Sequence, residues 1–304
     1  MGLGRGTYYY RLRQQSLMAK KEEADLRDRI EQIVVERARY GYRRVTYQLR
    51  REGYKVNHKR VSRMMREQSL QCQVKRRWVK TTDSDHSHRI YPNLIKELKV
   101  RGRNQVWVSD ITYIRILTGF LYLAVVLDLF SRKVIGWALS EQIDAQLTLA
   151  ALRMALEERG SVEGCIHHSD RGVQYACHAY VEELQAAKMR ISMARKGNPY
   201  DNAAAESFMK TLKYEEVYLW DYHSVEDVKQ RIPYFLQEVY NQKRLHSALG
   251  YVTPEEFEQA ELASVASNQG TGMSTSGENV GYRANGEAVY SVIYDKKCLD
   301  RKTT

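Results

Sequence analysis

Cysteine is scarce in this chain, and its four residues, Cys72, Cys165, Cys177 and Cys298, are scattered. No pair has C-x-x-C spacing, and His167 and His168 are adjacent rather than spaced as finger ligands. The pattern excludes a disulfide framework and a zinc finger, and leaves each cysteine to act as a small buried hydrophobe. The chain also lacks any run of eighteen apolar residues, so no membrane span is expected. The N-terminus has no apolar core of a signal peptide, and nothing before residue 20 repeats in heptads. A reducing, cytoplasmic setting is the expectation these absences leave.

What is present is charge, unevenly placed. The net charge of the 304 residues is +11. Residues 1–103 hold 27 Lys+Arg against 11 Asp+Glu, and the remainder holds 21 against 26. A basic front ahead of a mildly acidic back suggests a nucleic-acid-binding domain followed by a metal-using one. A solvated basic surface without a ligand is the plainer alternative. The 43% of hydrophobic residues suffices for a packed core, which excludes global disorder.

In the front half, Tyr8, Tyr9 and Tyr10 stand beside Arg11 and Arg13, an interleaving that suits stacking on nucleic acid or, equally, a packing arm. Leu26, Ile30, Ile33 and Val34 fall at helical spacing and predict a helix over 20–39, ended by Gly41. Val45 and Leu49 predict a short helix over 43–52, and Gly53 a turn. Asn57 is a good N-cap for a third helix over 58–68, with Val61, Met64 and Met65 facing inward. Two short helices joined by a glycine-containing turn form a helix-turn-helix candidate. Its second helix would present His58, Lys59, Arg60, Arg63 and Arg66 outward, where such a helix enters the major groove. The alternative is a small bundle with a solvated basic face. Lys75, Arg76 and Arg77 open a polar, basic stretch expected to track a DNA backbone.

Beyond residue 100, the apolar runs at 106–111, 120–128, 133–139, 162–167 and 190–193 predict five strands, with helices over 145–158, 176–187 and 200–213 between and after them. This is a mixed α/β sheet with helices on its faces. Three acids stand out. Asp110 sits in an apolar strand, Asp170 follows the end of another, and Glu206 lies on the last helix. A buried unpaired carboxylate is costly, so an acid inside a strand needs a partner. A hard cation is an economical one, because Mg²⁺ takes carboxylate oxygens and substrate phosphates. Other acids read differently: Asp128 as a turn cap, Asp201 as a helix cap, Glu215 and Glu216 as solvated. His168 reads as a core residue at a strand end. The segment 240–254 reads as a helix ending at Gly250 followed by a packed loop.

The residues Ser109-Asp110-Ile111-Thr112-Tyr113, His168-Ser169-Asp170-Arg171-Gly172-Val173-Gln174-Tyr175 and Asn198-Pro199-Tyr200-Asp201-Asn202 through Glu206 resemble the DDE transposase and retroviral-type integrase superfamily. Within it the resemblance is to bacterial insertion-sequence transposases, specifically the second-frame (OrfB) product, over roughly residues 25–260. The resemblance implies a ribonuclease-H-like mixed five-stranded sheet flanked by helices, after a small all-helical domain. It implies domains at 1–73 (helix-turn-helix), 74–99 (basic linker) and 100–261 (integrase core); the 262–304 tail departs from the family pattern, and the Ser, Thr, Gly and Ala of 263–278 predict that it is flexible. The resemblance also implies metal-dependent cleavage and strand transfer at terminal inverted repeats. Asp110, Asp170 and Glu206 would hold two Mg²⁺ ions, with Mn²⁺ as the alternative. Lys210, Lys213 and Arg244 would contact DNA, and Ser169, Arg171, Gln174, Tyr175 and Asn202 would support the acids. The expected partners are double-stranded DNA, at least one further copy of the chain, and a first-frame (OrfA) product. The competing readings are an inactive DNA-binding regulator and a ribonuclease-H-type nuclease without strand transfer.

Overall fold

The structure, a computed structural model, describes residues 17–37, 39–70, 88–195 and 202–270. Tyr8 to Arg13, Cys72, Lys75, Arg76, Arg77, Asp201, Cys298 and the segment 271–304 lie outside the described residues. The chain divides into two compact units, Met1–Arg76 and Arg77–Thr304.

The first unit contains α1 (Leu17–Glu36), α2 (Tyr42–Arg51) and α3 (His58–Glu67). Leu26, Ile30 and Ile33 of α1 close over Val45 and Leu49 of α2 and Val61, Met64 and Met65 of α3, all buried. The α2–α3 turn uses the left-handed backbone of Gly53, at φ +91°, a region glycine enters without steric cost. Asn57 caps α3, its side-chain oxygen accepting from the Lys59 amide at 2.9 Å. Across the unit, Arg29 grips Glu52 with two 2.6 Å bonds. The first helix stops at Glu36, short of the expected 39, and Gly41 is the N-cap of α2 rather than the end of α1.

The second unit is built on one sheet in the order β3-β2-β1-β4-β5. β1 (Val106–Ile116), β2 (Gly119–Asp128) and β3 (Val134–Ser140) form an antiparallel meander. β4 (Ile166–Ser169) runs parallel to β1, and β5 (Arg190–Met193) parallel to β4. Two apolar clusters cover the two faces, which is why the strands read as nearly continuous apolar runs. On one face lies α4 (Ala145–Arg159). It packs so close to β3 that a Cβ at Gly136 would collide with the Ala151 carbonyl. On the same side are the single turn α5 (Val173–Ala176) and α6 (His178–Ala186). On the other face lie α7 (Ala203–Leu212), continued by a π-helical turn over Lys213–Val217, and α8 (Val225–Tyr234) with its π-helical extension Phe235–Lys243. This is the ribonuclease-H-like fold.

Three expectations are corrected here. The described end of the 74–99 stretch folds onto the sheet unit: Leu94 and Ile95 pack on its core, and the Leu94 amide donates to Ser192 Oγ at 2.9 Å. The helix expected to end at Gly250 stops at Lys243, and Gly250, at φ +73°, instead closes a 3₁₀ turn over Ser247–Leu249. The point at 262 where a flexible tail was expected to begin lies inside α9 (Pro254–Gly270). Thr253 and Glu256 cap its start reciprocally, at 3.2 and 3.0 Å. Glu258 then anchors it, accepting from Ser131 Oγ and from Arg159, each at 2.6 Å. A helix tied down at its first turns extends through neighbouring Ala, Glu and Leu more readily than it stops.

Candidate active site

β4 pairs with β1 only as far as Val108 opposite His168. Past that point β1 has no paired strand on its β4 side among the described residues, and the next residue but one is Asp110. β4 ends at Ser169, so Asp170 emerges just where β1 loses its partner. Both acids line one cavity of about 190 Å³. Each carboxylate is held locally. Asp110 Oδ1 accepts from the Ile111 amide at 2.9 Å, and Asp170 Oδ1 from the Gly172 amide at 2.9 Å.

Glu206 arrives from the opposite face. Asn202, buried at the start of α7, donates to the Ser109 carbonyl at 3.5 Å. Glu206 lies one helical turn further on and is exposed. Burial pushes the Asp110 carboxyl up to about 8, with the neighbouring charge of Asp170 and then that of Glu206 adding to the rise. Glu206 is itself raised by partial burial. Lys213, on the turn after α7, offsets part of the rise at Asp110; its amine is lowered by burial and lies 4.7 Å from the centre of the Tyr113 ring. As the side chains stand, no group of three His, Cys, Asp or Glu among the described residues is close enough to hold one metal ion. Asp110 and Asp170 thus share one cavity, and Glu206 is not among the residues that line it.

The supporting residues divide. Tyr175 lines the cavity, is buried, and its hydroxyl has no hydrogen-bond partner among the described residues. Gln174 lines it too, with a 3.4 Å bond to the Ile143 carbonyl. Arg171 turns away to the Ala194 carbonyl at 2.8 Å, and Ser169 Oγ donates to the Asp170 carbonyl at 3.0 Å. The Asn202 side-chain oxygen, buried, finds no partner among the described residues. Asp128 caps the turn after β2, accepting from the Phe130 and Ser131 amides. His168 is fully buried against Ser192.

Arg244, expected to contact DNA, is buried rather than on the surface. Its Nε and a terminal nitrogen each lie 2.7 Å from Glu215. Glu215 and Glu216 are correspondingly not solvated: Glu216 accepts from Tyr222 at 3.0 Å and from Arg231 at 2.8 Å. Pattern reasoning missed this because the charged partners, Arg231 for Glu216 and Arg244 for Glu215, come from later segments of the chain. It also missed Tyr113 and Tyr122, which the β1–β2 register places opposite one another at the cavity, and Ile143. In the first unit, Lys59, Arg60, Arg63 and Arg66 are all exposed on α3.

A ribonuclease-H-like sheet with carboxylates at the β1–β4 gap, following a basic helical unit in the chain, is the architecture of the integrase class. Comparison with known proteins agrees: residues 20–78 match an HTH-like domain, and residues 101–199 and 187–254 match the integrase core domain. The chain is 35% identical over 260 residues to the insertion element IS600 uncharacterized 31 kDa protein of Shigella sonnei, covering 85% of this chain and 96% of that one. It is 40% identical over 226 residues to the transposase InsF for insertion sequence IS3A of Escherichia coli, covering 74% and 78%. The chain belongs to the IS3 family of insertion-sequence transposases. Among solved structures, it is similar to a simian T-cell lymphotropic virus intasome (TM-score 0.45, 14% identity, covering 75% of this chain and 74% of that one). It is also similar to the HTLV-2 integrase catalytic core in complex with magnesium (TM-score 0.40, 15% identity, covering 52% and 99%). No helix among the described residues is long and apolar enough to cross a membrane.

Proposed function

We propose that this transposase cuts and joins DNA at the terminal inverted repeats of its element through Asp110, Asp170 and Glu206. The observation that carries the reading is the Asp110–Asp170 pair, two acids facing one cavity with Asp110 lifted to about 8 by burial and by its neighbour. Such a pair is costly unless a cation joins it. The donor set is all carboxylate oxygen, which suits Mg²⁺ and also admits Mn²⁺. Asp110 and Asp170 would hold the first ion, and Glu206, exposed on α7, would complete the set for a pair of ions. Bound there, divalent ions would activate a water or 3′-hydroxyl nucleophile and offset the leaving oxygen's charge.

The protein's own groups do the rest. The backbone bonds at Ile111 and Gly172 hold the two carboxylates in place. Asn202 sets the start of α7 against β1. Lys213, beside Asp110, and Lys210, exposed one turn from Glu206, supply positive charge to the DNA backbone. On the first unit, Lys59, Arg60, Arg63 and Arg66 would meet the terminal repeats, α3 lying in the major groove; Lys75, Arg76 and Arg77 would follow the backbone. Pairing two ends calls for at least two copies of the chain, with a first-frame product as a further partner, acting on the bacterial chromosome in the cytoplasm.

The test is a strand-transfer reaction with purified protein, labelled terminal-repeat duplex and Mg²⁺. Joined products that require both metal and repeat sequence are expected. Hydrolysis without joining would reduce the protein to a nuclease, and binding without either would make it a regulator.

A further inference from the structure

The cavity beside the two acids has walls that the cutting chemistry does not require. Tyr113 and Tyr122 are cross-strand partners on β1 and β2, and both line it with Tyr175. Phe120 stands edge-on to Tyr113, with ring centres 5.5 Å apart. Ile143, 40% exposed, adds an apolar wall from the segment before α4. No Lys or Arg is among the described residues that line the cavity; the only charges there are the carboxylates.

These walls choose among the parts of a DNA strand. A phosphate is disfavoured where carboxylates are the only charges in the lining, the Lys213 amine standing over the Tyr113 ring outside it. A base is uncharged and flat, and stacks on tyrosine faces. Gln174 carries both a donor and an acceptor on its amide, and its side-chain bond among the described residues is a long one of 3.4 Å, so the amide can turn to a base edge. The buried Tyr175 hydroxyl, unpartnered among the described residues, offers one more donor.

We propose that this cavity receives a nucleobase turned out of the DNA stack next to the phosphodiester that Asp110 and Asp170 address. The inference rests on the reading of those acids as the cutting centre. With the scissile phosphate at the carboxylates, the adjoining nucleoside reaches the tyrosines without leaving the strand. Turning a base out is easiest where its pairing is already weak, so the pocket favours termini whose flanking pair is mismatched or frayed.

The experiment uses the full chain and terminal-repeat duplexes carrying 2-aminopurine, in turn, at each position flanking the scissile bond. With Ca²⁺ in place of Mg²⁺, so that the carboxylates hold a cation for the phosphate, binding should raise fluorescence several-fold at one flanking position and leave the others unchanged. Tyr122→Ala should abolish that rise and slow cleavage roughly tenfold, the lower part of the range for losing one stacked base. A mismatch at that position should restore much of the rate to Tyr122→Ala, and Tyr122→Phe should cleave like the wild type. The fluorescence reading on wild-type protein stands even if Tyr122→Ala folds poorly. Flat fluorescence at every flanking position in Ca²⁺, with normal cleavage once Mg²⁺ replaces it, overturns the pocket and leaves the cutting centre standing. No cleavage by wild-type protein in Mg²⁺ or Mn²⁺ removes the cutting centre and the pocket with it.

Discussion

Ser109 Oγ and His167 Nε2 lie 2.8 Å apart, joining β1 to β4 one residue before Asp110 and three before Asp170. The Tyr180 hydroxyl reaches the same nitrogen at 2.9 Å, and burial lowers the imidazole to about 3, so the ring is neutral. The two acid-bearing strands are thus tied through an uncharged ring held by two hydroxyls.

Removing one of those hydroxyls should be mild and removing both severe. Ser109→Ala or Tyr180→Phe alone leaves His167 Nε2 one partner and should cost about 1 kcal/mol; the double variant strands a buried nitrogen and should cost about 1–3 kcal/mol more. Urea denaturation of the four proteins checks this, and additive single effects would show that the ring has another partner.

Cutting and binding should separate by unit. Asp110→Asn, Asp170→Asn or Glu206→Gln should abolish cleavage while leaving terminal-repeat binding unchanged. Neutralising Arg60 and Arg63, both exposed on α3, should weaken binding and lower its log–log salt slope by about one for each phosphate no longer neutralised. A gel-shift salt series with a parallel nicking assay reads both. Full-rate cutting by any acid variant removes that residue from the centre.

Asp110 makes stability depend on pH. Its folded value, about 8, lies above the ordinary carboxylate range. Between that range and about pH 8 the folded state holds a proton the unfolded chain has released. Metal-free stability should therefore fall as pH rises through that window and level off above it. Asp110→Asn should flatten the fall. Mg²⁺ must displace the proton, so its affinity should rise with pH up to about 8. Melting temperatures from pH 5 to 9, with and without Mg²⁺, test this; identical pH profiles for wild type and Asp110→Asn would refute it.

Arg244 should matter to folding and not to DNA. Arg244→Ala strands the Glu215 carboxylate and should cost about 3–5 kcal/mol. Arg244→Met with Glu215→Leu, which removes both charges, should recover much of that. Chemical denaturation measures the difference, and a loss of DNA affinity without a loss of stability would return Arg244 to the interface.

The C-terminal helix should tolerate trimming only beyond its anchor. Ending the chain after residue 262 keeps Glu258 on Ser131 and Arg159 and should leave the core folded. Ending it after residue 252 leaves Arg159, 5% exposed at its side chain, without that carboxylate and should lower the melting temperature sharply. Equal melting of the two would show the anchor to be dispensable.

Much of this was legible in the chain because it is local. Apolar runs mark all five strands, Val61, Met64 and Met65 mark the inner face of α3, and Asn57 announces its cap. Periodicity and capping act over a few residues, so a linear reading finds them. Glu215 and Glu216 were misread, and the burial of Arg244 went unseen, for the opposite reason: a charge between polar neighbours looks solvated until another segment closes over it. The tyrosine walls were invisible in the same way, since Tyr113 and Tyr122 meet only through the hairpin register.

The order of residues by itself determined the basic helical front, the α/β back and the three acids worth pursuing. Only the tertiary structure decided that β1 outruns β4 at Asp110, that Asp170 emerges into that gap, and that aromatic side chains wall the hollow between. Pattern and propensity are properties of neighbours along the chain. Burial, pairing and the lifted proton of Asp110 depend on segments brought together from far apart, and exist only once the sheet has formed.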